Sequence, residues 1–268
     1  MAHNTVMSHE QIARVAPSVF ASEAASNRSD RYTYIPTIDV LNGLQREGFE
    51  VMQAVQTRTR IEGNREFTKH MLRLRHRDVI GRALTVGQEI PEVVLVNSHD
   101  GTSAYKIMGG IFRLICSNGM VIGDTSFECS VRHSGDVIGN VIEGSYEVVK
   151  GIERVMPVID SWKQIKLEAP EKMAFAKAAR ALRWDDDDAP VTPEALVLPI
   201  RYEDRGDDLW RVFNVAQERL IKGGVRGRNK SARRTTTRAV AGVTENIRLN
   251  KALWSLTQEM AAIKQAQG

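Results

Sequence analysis

The spacing of apolar residues changes period once along this chain, and that change constrains the fold more than any other feature. Residues 49–61 and 66–78 alternate apolar and polar in the two-residue rhythm of strands, with Glu62-Gly-Asn-Arg65 between them as hairpin-turn chemistry. Further strands are expected over 91–97, 104–116, 120–122 and 127–133, separated by turn segments 98–103 and 117–119. From Asp136 the rhythm becomes helical: Val137, Val141, Ile142, Val148, Ile152, Val155, Ile159 and Trp162 form one apolar stripe running to about residue 166. Gly139, Gly144 and Gly151 interrupt that stripe, which points to close packing there, and Pro157 sits inside it. Helices follow at about 170–184, from Asp208 to the Gly223-Gly224 stop, and from Thr236 or Thr237 to the end. Strands first and helices after give an α+β class: an antiparallel β-hairpin sheet, a long helix and a helical C-terminal part.

The organisation expected is an N-terminal arm over 1–31, an α+β core over 32–184, an acidic loop over 185–208 and a helical region over 209–268. The arm carries a short helix over 8–20 with Ile12, Val15 and Val19 at helical spacing, broken by Pro17; Thr37 is expected to cap a helix over 38–47. Two cysteines in 268 residues suit a reducing, cytoplasmic setting. Residues 1–11 hold no apolar run of a secretory signal, and no stretch reaches the ~20 apolar residues of a membrane span.

The net charge is only +4, but its distribution is uneven. Residues 51–77 hold seven basic residues (Arg58, Arg60, Arg65, Lys69, Arg73, Arg75, Arg77) against Glu62 and Glu66. Residues 222–238 hold seven more (Lys222, Arg226, Arg228, Lys230, Arg233, Arg234, Arg238) and no acid. Residues 185–208 hold nine acids against Arg201 and Arg205. Two basic stretches of different architecture point to a phosphate-backbone ligand. By alternation Arg73, Arg75 and Arg77 share one sheet face, and Arg58 and Arg60 share a face of the preceding strand. Arg113, Arg132 and His133 fall on the same expected sheet. Tyr32, Tyr34, Phe67 and Tyr105 are candidate base-stacking platforms, although core packing accounts for them equally well. Glycine mixed with arginine over 223–228 suits a mobile backbone-gripping segment and matches neither phosphate-loop pattern.

Enzymatic chemistry finds little footing. Cys116, Cys129, His99 and His133 lack the paired spacing of structural zinc. No nucleophile-elbow or zincin motif occurs, and the acids at 185–188 are consecutive, so they cannot form one preorganised Mg²⁺ site. No cofactor or metal is expected. A polar trio near turns, His99, Asp100 and His133, is the one arrangement a metal-dependent nuclease would use.

The blocks Asn97-Ser-His-Asp-Gly-Thr-Ser-Ala-Tyr-Lys106, Gly110-Ile-Phe-Arg-Leu-Ile-Cys-Ser-Asn-Gly119 and Val131-Arg-His-Ser134 resemble the phage- and plasmid-associated family of domain of unknown function 932. Gln217-Glu-Arg-Leu-Ile-Lys-Gly-Gly224 and Leu249-Asn-Lys-Ala-Leu-Trp254 extend the resemblance over most of the chain from about residue 30. It implies the bacterial cytoplasm and mobile elements, and no mechanism. By topology alone, strands followed by a long helix resemble the core of single-strand annealing recombinases, which assemble into rings or filaments. The reading is a non-enzymatic, ATP-independent, oligomeric protein that binds single-stranded DNA and anneals strands. Its groove would comprise Arg58, Arg60, Lys69, Arg73, Arg75, Arg77, Arg113, Arg132 and His133. Arg226, Arg228, Lys230, Arg233 and Arg234 would make a second contact, with duplex or with a neighbouring chain's acidic segment. The alternatives are a mobile-element regulatory or anti-defence protein acting through protein contacts, and the nuclease.

Overall fold

A computed structural model describes residues 5–23, 34–61, 63–80, 88–113, 118–123, 127–132, 135–185 and 188–266. The chain divides into two compact units, residues 1–121 with 125–152 and residues 122–124 with 153–268. The division falls inside the long helix rather than at residue 184, where the composition shifts.

The first unit is built on an antiparallel sheet of β1 (Phe49–Gln56), β2 (His70–His76), β3 (Glu89–Asn97), β4 (Tyr105–Arg113), β5 (Asn118–Val121) and β6 (Glu128–Val131). The first five lie side by side in chain order, and β6 shares the outer edge of β4 with β5. The expected strands are present; β1 and β2 are shorter than the alternation suggested, with a one-turn helix α3 (Arg77–Ile80) after β2, and β3 and β5 begin earlier. β1 and β2 are joined by a 57–69 connection, so Arg58 and Arg60 stand outside the ladder. One sheet face carries Leu72, Leu74, Leu95 and Ile107, all fully buried. Helix α2 (Thr37–Arg46) and the first part of α4 (Val137–Gln164) cover it. Gly43 faces Ile138 and Ile142 at the crossing of these helices, and Gly144 lies on Ile107 and Cys129. A β-carbon would come within 2.9 Å of Ile138 at Gly43 and 3.0 Å of Ile107 at Gly144, so the helix glycines buy close approach at the expense of propensity.

The N-terminal segment is part of this unit and not a loose arm. Helix α1 (His9–Val15) is closed by a Ser8/Gln11 capping box, and a 3-10 turn (Pro17–Phe20) follows. Ile12, Ala16 and Val19 are fully buried, and Met7 N–H bonds the Val51 carbonyl at 2.8 Å.

The opposite sheet face is also buried and carries charge. Glu92 of β3 accepts from Arg73 Nε at 2.6 Å and from Arg75 Nε at 2.8 Å, with all three side chains 1–2% exposed. Arg73 also donates from Nη2 to the Met120 carbonyl of β5 at 2.7 Å. The Arg75 guanidinium lies 4.1 Å from the centroid of the Phe112 ring. Gly119 was read as turn chemistry; it lies in β5, where a β-carbon would occupy the space of the Arg73 guanidinium.

The second unit is helical: the remainder of α4, α5 (Ala169–Ala181), α6 (Pro193–Val197), α7 (Leu209–Lys222) and α8 (Val243–Ala266), with a two-stranded ribbon, β7 (Arg226–Arg228) and β8 (Arg234–Thr236). Trp162, Trp210, Phe213 and Trp254 form its core, with ring centroids 4.7–6.2 Å apart. The C-terminal end of the acidic segment is engaged in contacts. Asp208 caps α7 through the Arg211 N–H at 2.9 Å, Asp204 (3% exposed) and Glu218 both bind Arg201, and Asp207 pairs with Lys172.

Replacing Glu92 with alanine leaves two guanidiniums buried without the carboxylate between them. The expected loss is about 3–5 kcal/mol, as for removal of one partner from a buried ion pair, read as a shifted urea midpoint. An unchanged midpoint would show that the triad does not hold the sheet.

Candidate nucleic-acid interface

The basic segment 222–238 folds as a hairpin and not as a flexible tether. Gly223 and Gly224 adopt φ of +68° and +76° at its root, where a side chain at Gly223 would meet the Thr237 and Arg238 backbone at 2.6 Å. Val225 N–H donates to Thr237 Oγ1 at 3.0 Å, and Thr237 N–H returns to the Val225 carbonyl at 2.9 Å. Arg183 ties the root down by donating to the Leu220 and Arg238 carbonyls. At the tip Asn229 Oδ1 accepts from the N–H groups of Ser231 and Arg233, and Ala232 takes φ +56° to close the turn.

The register places Arg228 opposite Arg234 and Arg226 opposite Thr236, so these four share one ribbon face. Gly227 and Thr235 take the other. Gly227 lies directly on the Pro190 carbonyl, with no room for a side chain, and Arg228 N–H bonds that carbonyl at 2.8 Å. One face is therefore seated on the 190 segment, and Arg226, Arg228 and Arg234 are exposed on the other. Arg233 and Arg238 are exposed beside them. Among the described residues no carboxylate lies within ion-pair distance of these five arginines; the segment's two lysines pair, Lys230 with Asp188 and Lys222 with Glu218. A concave surface of about 670 Å³ runs along the ribbon.

The sheet arginines are placed differently. Alternation assigned Arg73 and Arg75 correctly to one face, but that face is closed. Arg73, Arg75 and Arg113 are 2%, 1% and 5% exposed, which removes them from an open groove. Arg77 is exposed but bound to Glu50 at 2.8 Å and to the Gln45 carbonyl. Lys69 is half-buried near Asp100. Arg58, Arg60 and Arg132 are exposed; His133 lies outside the described residues. Of the aromatic candidates, Tyr105 is fully buried with its hydroxyl on the Ile35 carbonyl, Tyr34 packs on His99, Phe67 is half-buried, and Tyr32 lies outside the described residues.

Of the polar trio considered for catalysis, His99 lies in a buried hydrogen-bond network and Asp100 in a turn. His70, His99, Asn97 and Ser18 are fully buried around the Thr37 hydroxyl, which serves this network instead of capping α2. Ser18 Oγ donates to Gln56 Oε1 at 2.9 Å, so it accepts from His70 Nδ1 at 2.8 Å. His70 Nε2 then accepts the single Thr37 proton, and His99 Nε2 and Asn97 Nδ2 donate to Thr37 Oγ1, each contact 3.0–3.1 Å. This assignment keeps both rings neutral. Burial, and then the neighbouring His99, lower the His70 pKa from 6.5 to about 3. Burial would raise the Asp100 carboxyl, but hydrogen bonds from Thr102 and Ser98 hold it below its ordinary value, as befits a turn former. Cys116 and His133 lie outside the described residues, and among the described residues no group of His, Cys, Asp and Glu is arranged to hold a metal ion. Burial and the nearby Glu147 and Glu143 push the Cys129 thiol up.

Comparison with known proteins is consistent along the chain. The domain of unknown function DUF932 matches residues 24–254. Two Escherichia coli K12 proteins, UPF0380 protein YafZ and UPF0380 protein YfjQ, are each 46% identical over 254 residues, covering 95% of this chain and 91% of theirs. No solved structure matches it.

The buried network makes stability depend on pH. The His70 pKa is depressed on folding, so its contribution is complete above the unfolded value of 6.5 and is lost as pH falls towards 3. Between pH 7 and pH 5 this group removes about 2 kcal/mol. Replacing His70 with asparagine should flatten that part of the stability profile in chemical denaturation; an unaltered slope would assign it elsewhere.

Proposed function

This chain belongs to the DUF932 family, to which no chemistry is attached, and we propose that it is a sequence-independent nucleic-acid-binding protein that holds the phosphate backbone. The observation that carries this reading is the ribbon, whose exposed arginines leave a backbone fixed in register and face no described carboxylate. Planar guanidinium forks match phosphate oxygens, and a cluster of them releases the counterions condensed on a polyanion. The exposed Arg58 and Arg60 of the β1–β2 connection are a further basic surface in the first unit.

The narrower reading, annealing of complementary single DNA strands without nucleotide hydrolysis, belongs to the same proposal. Residues 222–242 contain no aromatic residue, so a strand held there keeps its bases free to pair. Oligomerisation belongs to it too, because three residues of strand span only about 10 Å and grip few phosphates. A cytoplasmic location and a role in recombination of mobile elements complete the proposal. Among the described residues, no helix is long and apolar enough to cross a membrane.

Fluorescence anisotropy against labelled single-stranded and duplex DNA at two salt concentrations, with light scattering on the same samples, tests it. Replacing Arg226, Arg228 and Arg234 together with alanine should lower affinity at least tenfold. It should also flatten the slope of log affinity against log salt by about 2, since each phosphate contact contributes roughly 0.7–0.9. Absence of binding by the native chain at low salt, or an unchanged slope in a folded variant, would overturn the assignment.

A further inference from the structure

We propose that the ribbon binds paired DNA more tightly than separated strands, so that binding itself pulls complementary strands together. This rests on the nucleic-acid reading above and adds the form of the ligand.

The argument starts from charge density. Arg228 and Arg234 are directly opposed in the ladder, which puts their β-carbons about 4.5–5.5 Å apart. Arg226 follows Arg228 two residues along the same face, about 6.8 Å away. Like charges in this register repel, and a flexible segment would relieve that by splaying. The ribbon cannot splay: its root is closed by Thr237, and one face is seated on Pro190. The three arginines therefore leave the backbone at a fixed, close spacing, and a ligand of high negative charge density offsets their mutual repulsion most. A duplex carries one charge per about 1.7 Å of axis from its two strands, whereas a single strand carries half of that. The two rows of the ribbon, Arg226 with Arg228 and Arg234 beside them, are also of a width that a duplex major groove about 12 Å across admits.

The absence of aromatics removes the opposing effect. Proteins that prefer single strands gain their preference by stacking unpaired bases on aromatic rings. No aromatic residue lies in 222–242, so the ribbon has nothing to offer an unpaired base. Counterion release remains, and per phosphate it is larger for duplex than for single strands, about 0.9 against 0.7. For three contacts that difference amounts to about sixfold at roughly 50 mM salt and about two- to threefold at roughly 200 mM. A ligand-binding preference for one state shifts its equilibrium by the same factor, so the protein stabilises the duplex.

The test uses the full chain with a non-self-complementary single strand and the duplex containing it. Affinities are measured by anisotropy at both salt concentrations, and the duplex melting temperature is measured with and without protein. The expected result is tighter duplex binding at low salt, a ratio that narrows as salt rises, and a raised melting temperature. The Arg228→Ala, Arg234→Ala double variant, with circular dichroism unchanged, should bring the ratio to within about twofold of unity while weak binding persists. A variant that retains the duplex preference places that preference outside the ribbon and overturns the proposal. Equal or tighter binding of the single strand overturns the duplex preference and leaves the nucleic-acid reading standing. Absence of binding to either form removes both.

Discussion

The contact on which the first unit depends is the buried triad of Arg73, Glu92 and Arg75. One carboxylate on β3 takes a hydrogen bond from each of two alternate residues of β2, at 2.6 and 2.8 Å, so the β2–β3 register cannot slip without breaking both. Arg73 reaches on to the Met120 carbonyl and ties in β5, across a gap kept open by Gly119 and Gly110. A one-residue slip would turn both arginines towards the Leu72 and Leu74 face that α2 and α4 cover. Desolvating two guanidiniums is costly, so the triad adds specificity of register more than net stability. The short path from Arg73 to β5 also explains why a glycine belongs in a strand, where its own propensity is poor.

The change from two-residue to helical rhythm was enough to place the strands, the long helix and the α+β class, because those depend on local alternation. The environment of each sheet face depends on partners far away in the chain. Alternation put Arg73 and Arg75 together correctly, but the acid that neutralises them lies 19 and 17 residues on, in another strand. Nothing in the local pattern separates an arginine face turned to solvent from one closed over a carboxylate. The single Glu92 in an otherwise apolar strand, Ile-Pro-Glu-Val-Val-Leu-Val, was the available signal: a lone acid in a buried strand implies a cation opposite. Thr37 shows the same limit. Its position before a helix suggested a cap, yet its hydroxyl is drawn into a buried network with two imidazoles and an amide.

The acidic and basic segments of the second unit were legible as charge and not as structure. Block charge suggested solvated loops, but Asp204, Asp207 and Asp208 are consumed by Arg201, Lys172 and the start of α7. Four of the nine acids, Asp188, Asp204, Asp207 and Asp208, are thus engaged within their own unit. The ribbon escaped detection because its strands are three residues long and alternate arginine with glycine or threonine, below the length at which period-two patterning is visible.

These two arginine clusters set out a physical criterion that charge counts miss. Both consist of guanidiniums at alternate positions of antiparallel strands, and both are held in fixed register. In the sheet a buried carboxylate sits between them, and the cluster is closed to any further anion. In the ribbon Asp188 is paired with Lys230, Gly227 of the seated face lies on the Pro190 carbonyl, and the arginines project from the opposite side. Fixing like charges in a ladder is unfavourable by itself, and among the described residues the ribbon arginines meet no carboxylate, Arg228 donating only to the Ala232 carbonyl at 2.8 Å. Rigid, exposed and uncompensated cations are what a polyanion site requires before its ligand arrives, since preorganisation removes the cost of assembling them on binding. The same residue type in the sheet is taken up by the fold, and what divides the two clusters is the presence or absence of one buried carboxylate.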